Sequence, residues 1–118
     1  MSAERRKSRN TGLKGNHVSS VEQVIIKTKD VRVRIIELRS HEVADWHYHT
    51  EITDNMFCLI GSITVRLKEP DEEFVLSPGG RCEVMKGRVH QVANAGADIA
   101  RYLLVQGVGN YGFNVVNS

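Results

Sequence analysis

No segment of this 118-residue chain approaches the roughly 18 consecutive apolar residues that a membrane-spanning helix needs, which excludes a helical membrane protein. The opening residues, MSAERRKSRNTG, also lack the apolar stretch of a secretory signal, and this sets a cytoplasmic location as the expectation. Cysteine is scarce, with Cys58 and Cys82 the two in the chain, in keeping with free thiols in a reducing compartment. Sequence leaves a disulfide between them open. Internal repeats and low-complexity stretches are missing, and no run of ten or more residues holds a helical period. At this length, with 41% hydrophobic residues, the chain is read as one globular domain.

Charge is unevenly placed. Residues 1–20 carry Arg5, Arg6, Lys7, Arg9 and Lys14 against Glu4, a net of +4, whereas the whole chain sums to +2. With almost nothing apolar between its charges, this segment is expected to be a flexible basic arm, ahead of a single domain over residues 21–118. A short Lys/Arg-rich run can touch RNA or an anionic surface. The arm is read instead as a solubilising tail, with no nucleic-acid or membrane partner.

From Val21 onward the pattern is that of strands. Val24-Ile25-Ile26 and Val31 to Leu38 are rich in β-branched residues, with Lys29-Asp30 suited to a turn between them. Met56 to Ile60 and Ile63 to Leu67 flank Gly61-Ser62, which reads as a two-residue hairpin connection with Gly first. Glu69 to Glu73 reads as a polar loop, Phe74 to Leu76 as a short strand, and Ser77-Pro78-Gly79-Gly80 as a tight turn. Arg81 to Met85, Val89 to Ala93 and Ala100 to Val105 supply three more strands. Many short strands between regular turns indicate an all-β sandwich or barrel. The open edges of so small a sheet structure must be covered or paired, and the strand from Val21 to Ile26 is placed to add to a partner's sheet, giving a homodimer.

The chemistry-bearing residues are His47 and His49. Alternate residues of a strand point to one face, so these two imidazoles stand side by side as a chelating pair. A third imidazole from His90, with one carboxylate, would complete a site suited to Zn, Fe, Ni, Cu or Mn. An isolated His-x-His is more often a surface feature of a half-exposed strand. The residues that follow at fixed distances change that balance.

His47, His49, Asp54 and Gly61, then Gly79, Met85, Gly87, His90 and Asn94, resemble the two motifs of the cupin family, G-x5-H-x-H-x3,4-E-x6-G and G-x5-P-x-G-x2-H-x3-N. The resemblance runs from about Val21 to Val116. Three positions depart from it: His41 stands where the first Gly is expected, Asp54 where the family has Glu, and Met85 where it has Pro. The resemblance implies a double-stranded β-helix, or jelly-roll barrel, and one divalent transition metal held by His47, His49, Asp54 and His90. Glu51 is the second choice for the carboxylate.

Parity decides what shares the interior. If His47 and His49 point inward, Trp46 and Tyr48 point outward; Asp54 then shares its face with Met56, Cys58 and Ile60, and His90 shares its face with Val92 and Asn94. Met56, Cys58 and Val92 would thus form an apolar wall for a small-molecule ligand, or else ordinary core filling. Cys58 and Cys82 are read as small buried hydrophobes, and Arg88 and Arg101 as surface residues that could pair with an anion. The glycines of Gln106 to Gly112 precede no helix and so make no phosphate loop. Three readings of function remain: a small metalloenzyme of isomerase, decarboxylase or dioxygenase type acting on an oxygen-bearing metabolite, a non-catalytic ligand-binding or sensor protein, and a structural dimer.

Overall fold

In the computed structural model, residues 21–117 are described, and they contain strands but no helix. The expected basic arm, and His17 within it, lie outside those residues. Ten strands follow one another: β1 (Val21–Lys27), β2 (Val31–Leu38), β3 (His47–Tyr48), β4 (Thr53–Ile60), β5 (Ile63–Leu67), β6 (Glu72–Leu76), β7 (Arg81–Val84), β8 (His90–Ala93), β9 (Ala100–Gly107) and β10 (Asn114–Val115). They form two five-stranded sheets, ordered β1-β2-β9-β4-β7 and β10-β3-β8-β5-β6, and every pairing is antiparallel. The all-β jelly roll is thus present, built as two facing sheets. The closed barrel is not formed, because no ladder joins the two sheets among the described residues.

Burial follows the period of two that the sequence carries. Along β9, Ala100, Tyr102, Leu104 and Gln106 are buried while their neighbours are half-exposed, and along β4 the buried set is Asp54, Met56 and Cys58. Leu38, Ile63, Val65 and Val92 join Met56 and Cys58 in one apolar core between the sheets. Each such Leu, Ile or Val contributes about 1.5–3 kcal/mol by leaving water. Cys58 and Cys82 are free thiols buried in that core, on neighbouring strands but not bonded. No helix is long and apolar enough to cross a membrane among the described residues.

One local expectation is overturned. Gly61-Ser62 does not join a hairpin, for β4 and β5 belong to different sheets. The β4–β9 ladder slips between Cys58 and Ile60, which turns Ile60 out to 43% exposure instead of inward with Met56 and Cys58. Gly61, at φ 74, then carries the chain across to the second sheet, where Ile63 pairs with Leu76 and Thr64 with Ala93. A Cβ at this position would meet the Ile99 carbonyl oxygen at 2.6 Å, so space as well as dihedral requires glycine. The ends of several strands, among them β4, β6, β7, β8 and β9, lie one to three residues from their expected places. Glu72 and Glu73, read as loop, pair in β6 with Leu67 and Arg66, while Met85 and Val89 fall outside β7 and β8.

One departure from the motifs and one match to them have local explanations. His41, in place of a glycine, is exposed and sits at φ 63, a region that His enters more readily than most residues. Asn94, the last motif residue, is a clamp: its Nδ2 donates to the carbonyls of Leu38, Arg39 and Asp98, and its Oδ1 accepts from Gly96 N. It ties the end of β2 to the loop after β8. We predict that Gly61→Ala lowers stability by about 1–3 kcal/mol through combined strain and collision. Gly87→Ala, at φ 82 but with open space around it, should cost about 1 kcal/mol. Urea midpoints of the two variants measured side by side check the ranking.

Candidate metal centre

The short β3 sets His47 directly opposite His90 on β8, and His49 follows just beyond the end of β3. Asp54 enters from the other sheet, on the inward face of β4. The four side chains are buried, and one ligand atom from each lies within 4.8 Å of all the others. The interior therefore holds a cluster of three histidines and one aspartate that could bind a metal ion. Glu51 is exposed, outside this cluster, and accepts a hydrogen bond from Asn110 N at 2.9 Å. The carboxylate brought to the histidines is that of Asp54.

Hydrogen-bond accounting shows what the cluster is prepared to hold. A neutral imidazole has one N–H. His47 Nδ1–H donates to Asp45 O at 2.9 Å, His49 Nδ1–H to Gly112 O at 2.6 Å, and His90 Nδ1–H to Arg88 O at 2.8 Å. With each proton committed to a backbone carbonyl, all three Nε2 atoms carry lone pairs. Those of His49 and His90 face the same Asp54 Oδ2, at 3.2 and 3.0 Å. Lone pairs directed at a buried carboxylate repel it unless a cation or extra protons stand between. His49 Nε2 makes no well-directed hydrogen bond despite its closeness to Asp54. Ligand type, tautomer and spacing all fit a divalent transition metal, which such sites bind at about 2.0–2.2 Å from N and O.

Proton affinities follow from the same contacts. Burial, reinforced by the nearby His90, lowers the His47 pKa to about 4, so this ring is neutral at neutral pH. For His49 burial opposes the charge, but hydrogen bonding and attraction to Asp54 outweigh it and raise the pKa. Burial likewise opposes ionisation of Asp54, yet His49 and His90 hold its carboxyl well below the usual carboxylate range. These shifts describe rings that carry an extra proton on Nε2, the alternative to a metal ion standing between the rings and the Asp54 carboxylate.

The other oxygen of Asp54 is occupied. Gln106, 1% exposed, donates from Nε2 to Asp54 Oδ1 at 3.0 Å. Its Oε1 accepts from Arg32 Nε and Nη2 at 3.0 and 2.9 Å, and from Arg34 Nη2 at 3.0 Å. The row arises from register, since Gln106 on β9 stands between Arg32 on β2 and Asp54 on β4. The guanidiniums settle which way the amide points, and the amide leaves Oδ2 as the oxygen of Asp54 turned to the histidines. Sequence reading missed Gln106, because the expected strand stopped at Val105. The available signal was a lone polar residue continuing the inward series Ala100, Tyr102, Leu104.

Phe113 was missed too. Its ring stacks on His47, with centroids 4.1 Å apart and planes at 25°. Tyr111, two residues earlier, lies under the Arg32 guanidinium at 4.4 Å. Met56 and Val92 lie one inward position beyond Asp54 and His90 on their strands, and with Cys58 they are 1–2% exposed within the apolar core. Arg88 donates to the carbonyls of Lys68 and Pro70 and pairs with Glu72, while Arg101 pairs with Glu37, so both are engaged at the surface. Tyr48 is half-buried on the outward face of β3, and Tyr102 is buried opposite Cys58.

The Cupin domain family model matches residues 34–106, from β2 through β9. The chain belongs to the cupin family. No curated protein sequence matches this cupin. Among solved structures, a double-stranded β-helix protein from Klebsiella pneumoniae is 19% identical with a TM-score of 0.75, over 95% of this chain and 100% of that one. The polyketide cyclase RemF from Streptomyces resistomycificus is 16% identical, with a TM-score of 0.72 over 84% of this cupin and 72% of the cyclase. An oxalate oxidase is 18% identical, with a TM-score of 0.75 over 98% and 63%. At these identities the likeness is one of fold.

Removing the amide of Gln106 would leave a buried carboxylate oxygen and three guanidinium N–H groups without their partner. We predict that Gln106→Leu lowers the unfolding free energy by about 1–3 kcal/mol, a loss that equilibrium urea denaturation would register as an earlier midpoint.

Proposed function

We propose that this cupin is a small metalloenzyme that holds one divalent transition metal at His47, His49, Asp54 and His90 and acts on a small oxygen-bearing metabolite. The observation that carries this reading is the commitment of all three Nδ1 protons to backbone carbonyls, which leaves three Nε2 lone pairs gathered around the Asp54 carboxylate. A metal there would supply Lewis acidity toward an oxygen-bearing group. Three imidazoles and one carboxylate leave a coordination position open on a metal that takes five or six ligands, which distinguishes a reactive centre from a structural one.

The chain's own residues would then divide the work. The carbonyls of Asp45, Gly112 and Arg88 orient the rings, and Gln106 orients Asp54. Phe113 covers His47 from one side and limits water there. Met56, Cys58 and Val92 supply the apolar wall for the non-polar part of the ligand. A polyketide cyclase and an oxalate oxidase share this fold, so isomerase, decarboxylase and dioxygenase chemistry are separated by substrate and metal rather than by architecture. A cytoplasmic location suits the free thiols Cys58 and Cys82.

The protein is proposed to act as a homodimer through β1. This strand lies at the edge of its sheet, paired on one side with β2, and Val24, Ile25 and Ile26 are each about half exposed, at 50%, 47% and 52%. An edge with such residues invites pairing with a second copy.

Gentle purification followed by elemental analysis should find one transition metal per chain. His49→Ala should lose it while keeping the β-sheet circular dichroism signal, and Asp54→Ala should weaken binding less than His47→Ala. Full occupancy in His49→Ala would remove the assignment. A metal-loaded protein that binds metabolites yet leaves them unchanged, with and without dioxygen, would replace the enzyme with a binding module. For assembly, light scattering at micromolar concentration should give twice the chain mass, reduced by Ile26→Lys; a monomeric parent protein would remove the dimer.

A further inference from the structure

The four clustered side chains are sealed from solvent, so anything that is to reach their Nε2 and carboxylate atoms must pass a wall that moves. On most sides the walls do not give way easily. Met56 and Val92 follow Asp54 and His90 inward on their strands, in the close-packed core. Gln106, held by Arg32 and Arg34, closes the Oδ1 side of Asp54. The side of His47 differs. At 7% it is the most exposed of the four, and the ring laid over it, Phe113, is itself 53% exposed.

The segment that carries Phe113 is fastened on either side of that residue. Before it, Gly109 N donates to Asp30 O at 2.9 Å, Asn110 N to Glu51 Oε1 at 2.9 Å, and the Tyr111 hydroxyl to Thr28 O at 2.6 Å. After it, Asn114 pairs with Tyr48, and Val116 N donates to Trp46 O at 2.8 Å. Between these anchors Gly112 O accepts the His49 Nδ1–H, and the Phe113 ring adds its stacking on His47 and an edge contact with His49, with centroids 6.1 Å apart. None of residues 108–117 is buried. The Phe113 side chain therefore has little beyond that stacking to hold it down, and solvent on its outer side to turn into. With the backbone anchored at Tyr111 and Asn114, the ring swings about its own side-chain bonds while Gly112 O keeps the His49 tautomer fixed. Covering the cluster and preparing its rings are thus the tasks of separate groups.

We propose that the Phe113 ring is the gate of the candidate metal centre, closed when it stacks on His47 and open when it turns outward, and that a metal ion and a small ligand pass through the space it vacates. That the passage serves a reacting metal rests on the metalloenzyme reading above; the gate itself rests on burial and anchoring. A phenyl ring suits the task, because its stacking is weak enough to break by rotamer exchange and its area large enough to shut out water. Such a route reaches the cluster and leaves the ladders of both sheets intact.

The test uses the full chain with Phe113→Ala, with Phe113→Leu, and with Val108→Ala as a control on the same segment at a residue 72% exposed. Metal-free protein is treated with diethyl pyrocarbonate, which acylates accessible neutral imidazoles, and modification of His47 is followed by peptide mass spectrometry against the exposed His41. Zinc capture is followed by stopped flow in competition with a pyridylazo dye, and zinc release after adding excess EDTA. Phe113→Ala should speed His47 modification, zinc capture and zinc release by about fivefold or more each, the scale of one lost stacking contact, while the zinc Kd stays within about twofold. Phe113→Leu keeps apolar bulk and guards against a misfolded variant; its rates should fall between those of the parent and Phe113→Ala. Val108→Ala should match the parent. A ring that only stabilises the site would leave capture unchanged, raise release alone and weaken the Kd in proportion. That pattern, or His47 modification no faster in Phe113→Ala than in the parent, would overturn the gate. Zinc bound with unmoved rates sinks the gate alone; faster His47 modification in a protein that never takes up zinc sinks the metal reading alone.

Discussion

A carboxylate withdrawn from water is among the costliest groups a small protein can bury, and Asp54 is 1% exposed. Much of the interior around it can be understood as the means of keeping it charged. Gln106 donates to one oxygen, and two histidine rings from the facing sheet approach the other. Behind Gln106 stand Arg32 and Arg34, which fix its orientation and add positive potential. Remove any of these and the remaining polar groups are left desolvated without partners, an outcome more expensive than never having buried them.

That arrangement depends on the antiparallel ladders. The register of β2, β9 and β4 puts Arg32, Gln106 and Asp54 in one row across the inward face of their sheet. In the other sheet β3 and β8 set His47 against His90. The two rows meet because both sheets turn their polar end the same way, leaving the apolar core of Leu38, Met56, Ile63 and Val92 beyond them. The sandwich is therefore divided along its length, with dry packing at one part and a polar cluster at the other.

Backbone groups take a larger share in this cluster than side-chain motifs suggest. Three carbonyl oxygens choose the tautomers of the histidines, and one of them, Gly112 O, comes from the segment that also delivers Phe113 to His47. The motif asparagine, Asn94, makes no contribution to the cluster; it binds the end of β2 to the turn before β9. Conversely Gln106, Arg32 and Arg34 belong to no motif, yet Gln106 binds Asp54 and the two arginines hold Gln106 in place.

From the sequence by itself one could read an all-β domain, most of the strands, and the four residues that converge in the cluster. These are properties of local chemistry and period: β-branched runs between turns, His-x-His on one face, and His90 and Asp54 at motif spacing. Tertiary structure decided the rest. Whether Gly61-Ser62 closes a hairpin or passes the chain to a second sheet depends on the slip between Cys58 and Ile60, which is a matter of partner strands. The inward direction of Arg32 and Arg34 was hidden for a like reason. In Val31-Arg32-Val33-Arg34 the apolar residues suggest the opposite face, yet Arg32 and Arg34 share the face of the buried Ile36 and Leu38, where Gln106 on β9 meets them. A polar residue chooses the interior when a partner meets it there, and a sequence does not say which residues will be opposite one another until the register is set.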